Sequence, residues 1–213
     1  MAGILDLLNS DLGKTLISGT SQQFGQDKGK TTSALNAALP LILGAMKNNA
    51  STPEGASGLL NALSNEKHSG GILDNLGSIL GGSGVDKDVL DDGAGILGHV
   101  FGGKEQNVAK AVSTSSGIDL DTAMNILKVA GPLVMGALGK ETRQKNVADQ
   151  SGIGDLLSGM LGGASNEQQS IVTRLLDADG DGSIIDDVAG ILLNSGGKKK
   201  GGLGSLLGGL FGK

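Results

Sequence analysis

Pro40-Leu41-Ile42-Leu43-Gly44-Ala45-Met46 and Pro132-Leu133-Val134-Met135-Gly136-Ala137-Leu138 lie 92 positions apart and match residue class for residue class. The same offset sets Ala2-Gly3-Ile4-Leu5 on Ala94-Gly95-Ile96-Leu97, Gly25 on Gly117, and Ala38 on Ala130. One register therefore holds from the first residues to Met46. A self-match at fixed offset constrains a fold more than local propensity does, and it predicts a tandem duplication. A third copy of the opening is visible at an offset of 95, where Asp91-Asp92-Gly93-Ala94-Gly95-Ile96-Leu97 meets Asp186-Asp187-Val188-Ala189-Gly190-Ile191-Leu192. It stops at Ser195-Gly196-Gly197, so the last unit is expected to be truncated.

Working outward from the two proline segments, the pattern is helical. Thr31, Thr32 or Ser33 is a candidate cap for a helix through Ala34, Leu35, Ala38, Leu41, Ile42 and Ala45, a spacing that gathers apolar groups on one broad face. Nearly every position from Ala37 to Met46 is apolar, which predicts a central helix. Asp119 or Asp121 is the candidate cap for its counterpart through Met124, Ile126, Leu127, Ala130, Leu133 and Leu138. Pro40 and Pro132 each remove a backbone donor in mid-helix, so a kink or a break is expected in both. Gly55 to Leu63 and Gly152 to Leu161 read as Gly-Leu helices, and Ile72 to Leu80 as a short helix between glycine-rich joints. No run alternates Val, Ile, Thr or aromatic residues with polar ones. The expected class is all-α, a duplicated bundle of short glycine-rich helices: a first unit with its linker helix over 1–84, a second over 85–195, and a Lys/Gly/Leu-rich tail over 196–213.

Composition narrows the function. Of 213 residues, 39 are Gly and only three are aromatic, all Phe, so the core must be built from Leu, Ile, Val, Ala and Met. So many glycines imply close helix contacts or mobile joints. The formal net charge is -5 and the basic residues are scattered except for Lys198-Lys199-Lys200, which argues against a nucleic-acid surface. Cysteine is absent, which excludes disulfides and thiolate chemistry. The opening residues lack a basic region and carry Asp6 within their apolar run, unlike a secretory signal. The longest apolar run, from Ala37 to Met46, is about half of what crosses a bilayer. Cytoplasmic residence and no transmembrane helix are the expectations.

One run has the spacing of a metal site. In a calcium loop, side-chain oxygens come from positions 1, 3 and 5 and a backbone carbonyl from position 7, with Gly at 6 and a late carboxylate. Asp177, Asp179, Asp181, Gly182 and Ser183 fill the early places. Asp186 and Asp187 fall at 10 and 11, with Val188 at 12, so the late half departs from the pattern. The reading is a structural Ca2+ site in a helix-loop-helix. The competing reading is an acidic interhelical turn whose carboxylates serve the helix dipole. The corresponding run Val85 to Asp92 lacks the Asp-Gly turn and carries Lys87, so no second site is expected there.

Catalytic groupings are scarce. His68 and His99 have no metal-ligand spacing to each other, His68 falls in an expected linker, and His99 is placed at a packed or half-exposed helix position. No Gly-x-Ser-x-Gly elbow occurs, and Gly81-Gly82-Ser83-Gly84 lacks the Lys-Ser/Thr ending of a phosphate loop. The tail joins Lys198-Lys199-Lys200 to Leu203, Leu206, Leu207, Leu210 and Phe211 at helical spacing, suited to an anionic membrane, a partner groove or the protein's own apolar surface.

The repeated Ala-Gly-Ile-Leu and Pro-Leu-Val-Met-Gly-Ala-Leu segments, with Leu175-Leu176-Asp177-Ala178-Asp179-Gly180-Asp181-Gly182-Ser183 onward to Gly190, resemble the bacterial domain-of-unknown-function 937 family, which includes YidB-like proteins. The resemblance extends over most of residues 1 to 195, excludes the tail beyond Gly196, and implies a soluble helical bacterial protein without an established reaction. The expectation is a non-enzymatic protein that acts by association, as a homo-oligomer or with a protein partner, and carries one structural calcium loop. The alternative is a peripheral membrane protein using residues 198–213.

Overall fold

The computed structural model describes residues 3–65, 68, 71–74 and 85–162. Every regular element among them is a helix: α1 (Ile4–Asn9), α2 (Asp11–Gln23), α3 (Lys28–Asn49), α4 (Pro53–Leu63), α5 (Gly71–Asp74), α6 (Lys87–Phe101), α7 (Glu105–Ser116), α8 (Leu120–Gln144) and α9 (Gln150–Leu161). The chain is all-α.

The two proline helices, α3 and α8, pack on each other and form the centre. α1, α2, α7 and α9 lie against α3, while α4, α5, α6 and α7 lie against α8. Every residue from Ala38 to Met46 is buried, as is every residue from Val129 to Gly139, so both helices are apolar all round where they cross the core. Leu35, Leu39, Ile42 and Leu43 of α3 and Ile126 and Leu127 of α8 are completely buried. Each such side chain contributes about 1.5–3 kcal/mol of burial free energy. Buried residues from Ile4 to Met160 form one cluster, to which Phe101 brings the one buried aromatic ring among the described residues.

Local geometry recurs at the offset seen in the sequence. Gly25 and Gly117 both adopt the left-handed conformation, with φ of 61° and 68°. Just before each, a serine hydroxyl donates to a carbonyl five residues on: Ser21 to Gln26 at 2.7 Å, and Ser113 to Ile118 at 2.6 Å. Asp27 and Asp119 then cap α3 and α8 through their carboxylates. Past the proline helices the offset grows to 97, where Thr52 and Asp149 cap α4 and α9 by accepting from Gly55 and Gly152. The extra residues lengthen the end of α8 and the turn that follows it.

Two expectations change. The cap of α3 is Asp27, ahead of Thr31 and Thr32, because both threonine hydroxyls bond back to carbonyls four residues earlier, inside the helix. Neither proline ends its helix: α3 and α8 run on through Pro40 and Pro132. An interior proline costs about 3 kcal/mol, and the uninterrupted burial on either side offsets that. The carbonyl that Pro132 leaves without a donor, that of Lys128, is covered by α6, where Gly93 comes so near that an added Cβ would overlap it. A Cα–H···O approach of this kind is open to glycine at helix crossings. The acids of 86–92 belong to the start of a helix: Asp86 caps α6 by accepting from Asp88, and the others lie within it.

Candidate functional site

Among the described residues no group of three or more His, Asp or Glu is placed to hold a metal ion. The calcium-loop residues Asp177, Asp179, Asp181, Ser183, Asp186 and Asp187 lie outside the described residues, as does the tail 198–213. Among the described residues, one feature with room for another molecule is a cleft of about 960 Å³ between the end of α3, α4 and α6.

Its walls follow from the sequence of those helices. α4 begins at Pro53, whose fixed φ suits the first helical position, and turns Gly55, Gly58 and Leu59 to the cleft. α6 supplies Asp92, Gly95, Ile96 and His99. Gly58 and Gly95 have nothing within 4 Å of where a side chain would start, so bare backbone from two helices faces open space. Met46 of α3 and Met135 of α8 close the apolar floor.

Polar contacts hold the rim. Asn49, at the end of α3, donates its side-chain amide to the Val100 carbonyl at 3.0 Å and the His99 carbonyl at 3.4 Å, serving the last turn of α6. His68 is buried rather than set in an open linker, with its side chain 11% exposed. Its Nδ1 lies 2.9 Å from the Ala62 carbonyl, and since a carbonyl only accepts, Nδ1 is the donor. Nε2 faces Asp92 Oδ2 at 3.4 Å. With the Nδ1 proton given to Ala62, Nε2 pairs with the Asp92 carboxylate when the ring is an imidazolium, and the ring lies between the last turn of α4 and α6. His99, expected to be packed or half-exposed, is exposed instead, because α6 turns Leu97 and Phe101 to the core on either side of it.

Sequence reasoning named His68 and His99 but missed Asn49, Asp92, Gly58 and Gly95 as cleft residues. The glycine content signalled close packing in general. Which glycine touches a neighbouring backbone, like Gly93, and which faces open space, like Gly95, depends on how the helices cross.

α8 is long and apolar enough to cross a membrane by length and composition, and 78% of its apolar window is buried against the other helices. Core helices have this character. Comparison with curated proteins and with solved structures gave no match. Residues 6–141 match the family described as "Bacterial protein of unknown function (DUF937)", a span that takes in both proline helices and most of the cleft and ends before the acidic run at 177–187. The chain belongs to that family.

Proposed function

We propose that this is a non-enzymatic interaction protein that acts by association, with a second copy or another protein, by receiving an apolar helix in the cleft between α4 and α6. The observation that carries this reading is the pair Gly58 and Gly95, two backbones left bare over an apolar floor. Small residues of this kind let a third helix approach closely, and helix-in-groove binding needs a preformed slot of this shape. The burial of His68 and the hydrogen bond of its Nδ1 to the Ala62 carbonyl favour a strut over a base presented to a substrate. A light-scattering series on the full chain tests association: a mass that rises with concentration is the expected result, and a compact monomer throughout contradicts self-association.

Two further elements belong to this reading. The chain is a tandem duplication, supported by the Ser-Gly-Asp turn geometry repeated 92 positions apart. The Asp177–Asp187 run is a structural Ca2+ loop, supported by its ligand spacing alone. Calorimetric titration of Ca2+ into the full chain should show one site that Asp181→Ala removes. A peripheral membrane protein acting through 198–213 is the alternative, and it predicts flotation on anionic liposomes that is lost when those residues are deleted.

A further inference from the structure

The described lining of the cleft carries two carboxylates, Asp91 and Asp92, and no Lys or Arg. Between them and α4 lie an apolar floor and the bare backbones of Gly58 and Gly95. An occupant should therefore present a narrow apolar stripe flanked by positive charge. Residues 198–213 of this chain have that chemistry. Lys198-Lys199-Lys200 precede Leu203, Leu206, Leu207, Leu210 and Phe211, which stand at positions i, i+3, i+4, i+7 and i+8 of a helix, with glycines between them. As a helix, 203–211 is about 13 Å long, shorter than either wall helix. Another apolar stretch beyond α9, Ala189 to Leu193, fits worse, because Asp186 and Asp187 beside it would meet Asp91 and Asp92 with like charge.

Connectivity favours the chain's own segment over that of a second copy. Forty-one residues, 162–202, separate α9 from Leu203, and α9 packs on α4, one wall of the cleft. A segment of that length spans about 35 Å root-mean-square as a coil, comparable with the width of a body whose radius of gyration is about 15 Å. Tethering at matched length gives an effective concentration in the millimolar range.

Resting on the reading of the cleft as a helix-binding slot, we propose that the cleft is the docking site of the chain's own carboxyl-terminal segment, Lys198 to Lys213. An association partner then binds by displacing that segment, and packing in the slot makes up for the low helix propensity that the tail's glycines give it.

The absence of native cysteine allows a direct test in the full chain. Gly58→Cys, at a site with open space for a side chain, is paired with Leu207→Cys. The control pairs Leu207→Cys with Asp11→Cys on the exposed face of α2. In dilute solution the cleft pair should form an intramolecular disulfide at least about tenfold faster than the control, and reversing Lys198, Lys199 and Lys200 to Glu should bring the rate down toward the control. Gly95→Cys in place of Gly58→Cys repeats the measurement on the other wall. Equal rates overturn the proposal, and equal rates with flotation of the full chain on phosphatidylglycerol vesicles assign the tail to a membrane. A disulfide-linked dimer as the main product also overturns it, in favour of exchange between copies. If the cross-link fails while filling the cleft still abolishes association, tail docking is wrong and the cleft reading stands.

Discussion

Two glycines two residues apart on α6 do opposite things. Gly93 lies against the Lys128 carbonyl that Pro132 strips of its donor, and a methyl group there would collide with fixed backbone. Gly93→Ala should cost about 1–3 kcal/mol, as overpacking a rigid contact does. In a domain of this size that lowers the melting temperature by about 2–4 °C per kcal/mol. Gly95 faces open space in the same helix, so Gly95→Ala should stabilise by about 0.5–1 kcal/mol through helix propensity. Thermal unfolding followed by circular dichroism checks both signs, and a shared sign would refute the assignment of contacts. At the start of α8, Asp119 accepts from the Thr122 backbone at 2.8 Å and from its hydroxyl at 2.7 Å. Those two hydrogen bonds, the backbone one foremost, hold its carboxyl below the ordinary aspartate value. A carboxyl with a depressed folded-state pKa stabilises above the unfolded value, near pH 4, and loses that contribution as pH falls through the folded one. Asp119→Asn keeps an acceptor without the charge. The wild-type advantage over it should be present at pH 6 and vanish toward pH 2, and an advantage unchanged with pH would contradict the charge-assisted cap.

At the scale of elements, the cleft is held open by struts rather than by packing. His68 joins the last turn of α4 to Asp92 of α6. His68→Ala should destabilise by about 1–3 kcal/mol, the range for breaking a buried polar contact, and should raise hydrogen exchange in the last turn of α4 more than in α3. Uniform change along both helices would show that the ring is not a local tie. The local signals in the sequence told where many elements lie but not how they meet. Asp119 was legible as a cap because its geometry depends on near neighbours. Asp27 was obscured by Thr31 and Thr32, which stand nearer the apolar run but spend their hydroxyls on carbonyls four residues earlier. His68 sits in a stretch whose composition reads as a joint, and a contact with Asp92, 24 residues on, determines its burial.

For the whole molecule, the repeated proline segments announced a central pair of helices, and the structure puts them in contact as α3 and α8. The cleft was not legible, since it exists only where α3, α4 and α6 leave a gap, and a gap has no residue pattern of its own. Its proposed use in association is tested most sharply by filling it, because a Cβ at Gly58 or Gly95 meets nothing within 4 Å. Gly58→Leu and Gly95→Leu should fold with native circular dichroism and at least wild-type melting temperature. The measurement is light scattering of the wild type and both variants across one concentration series: the wild-type mass should rise while each variant stays monomeric, and variants that associate as the wild type does would contradict association through the cleft.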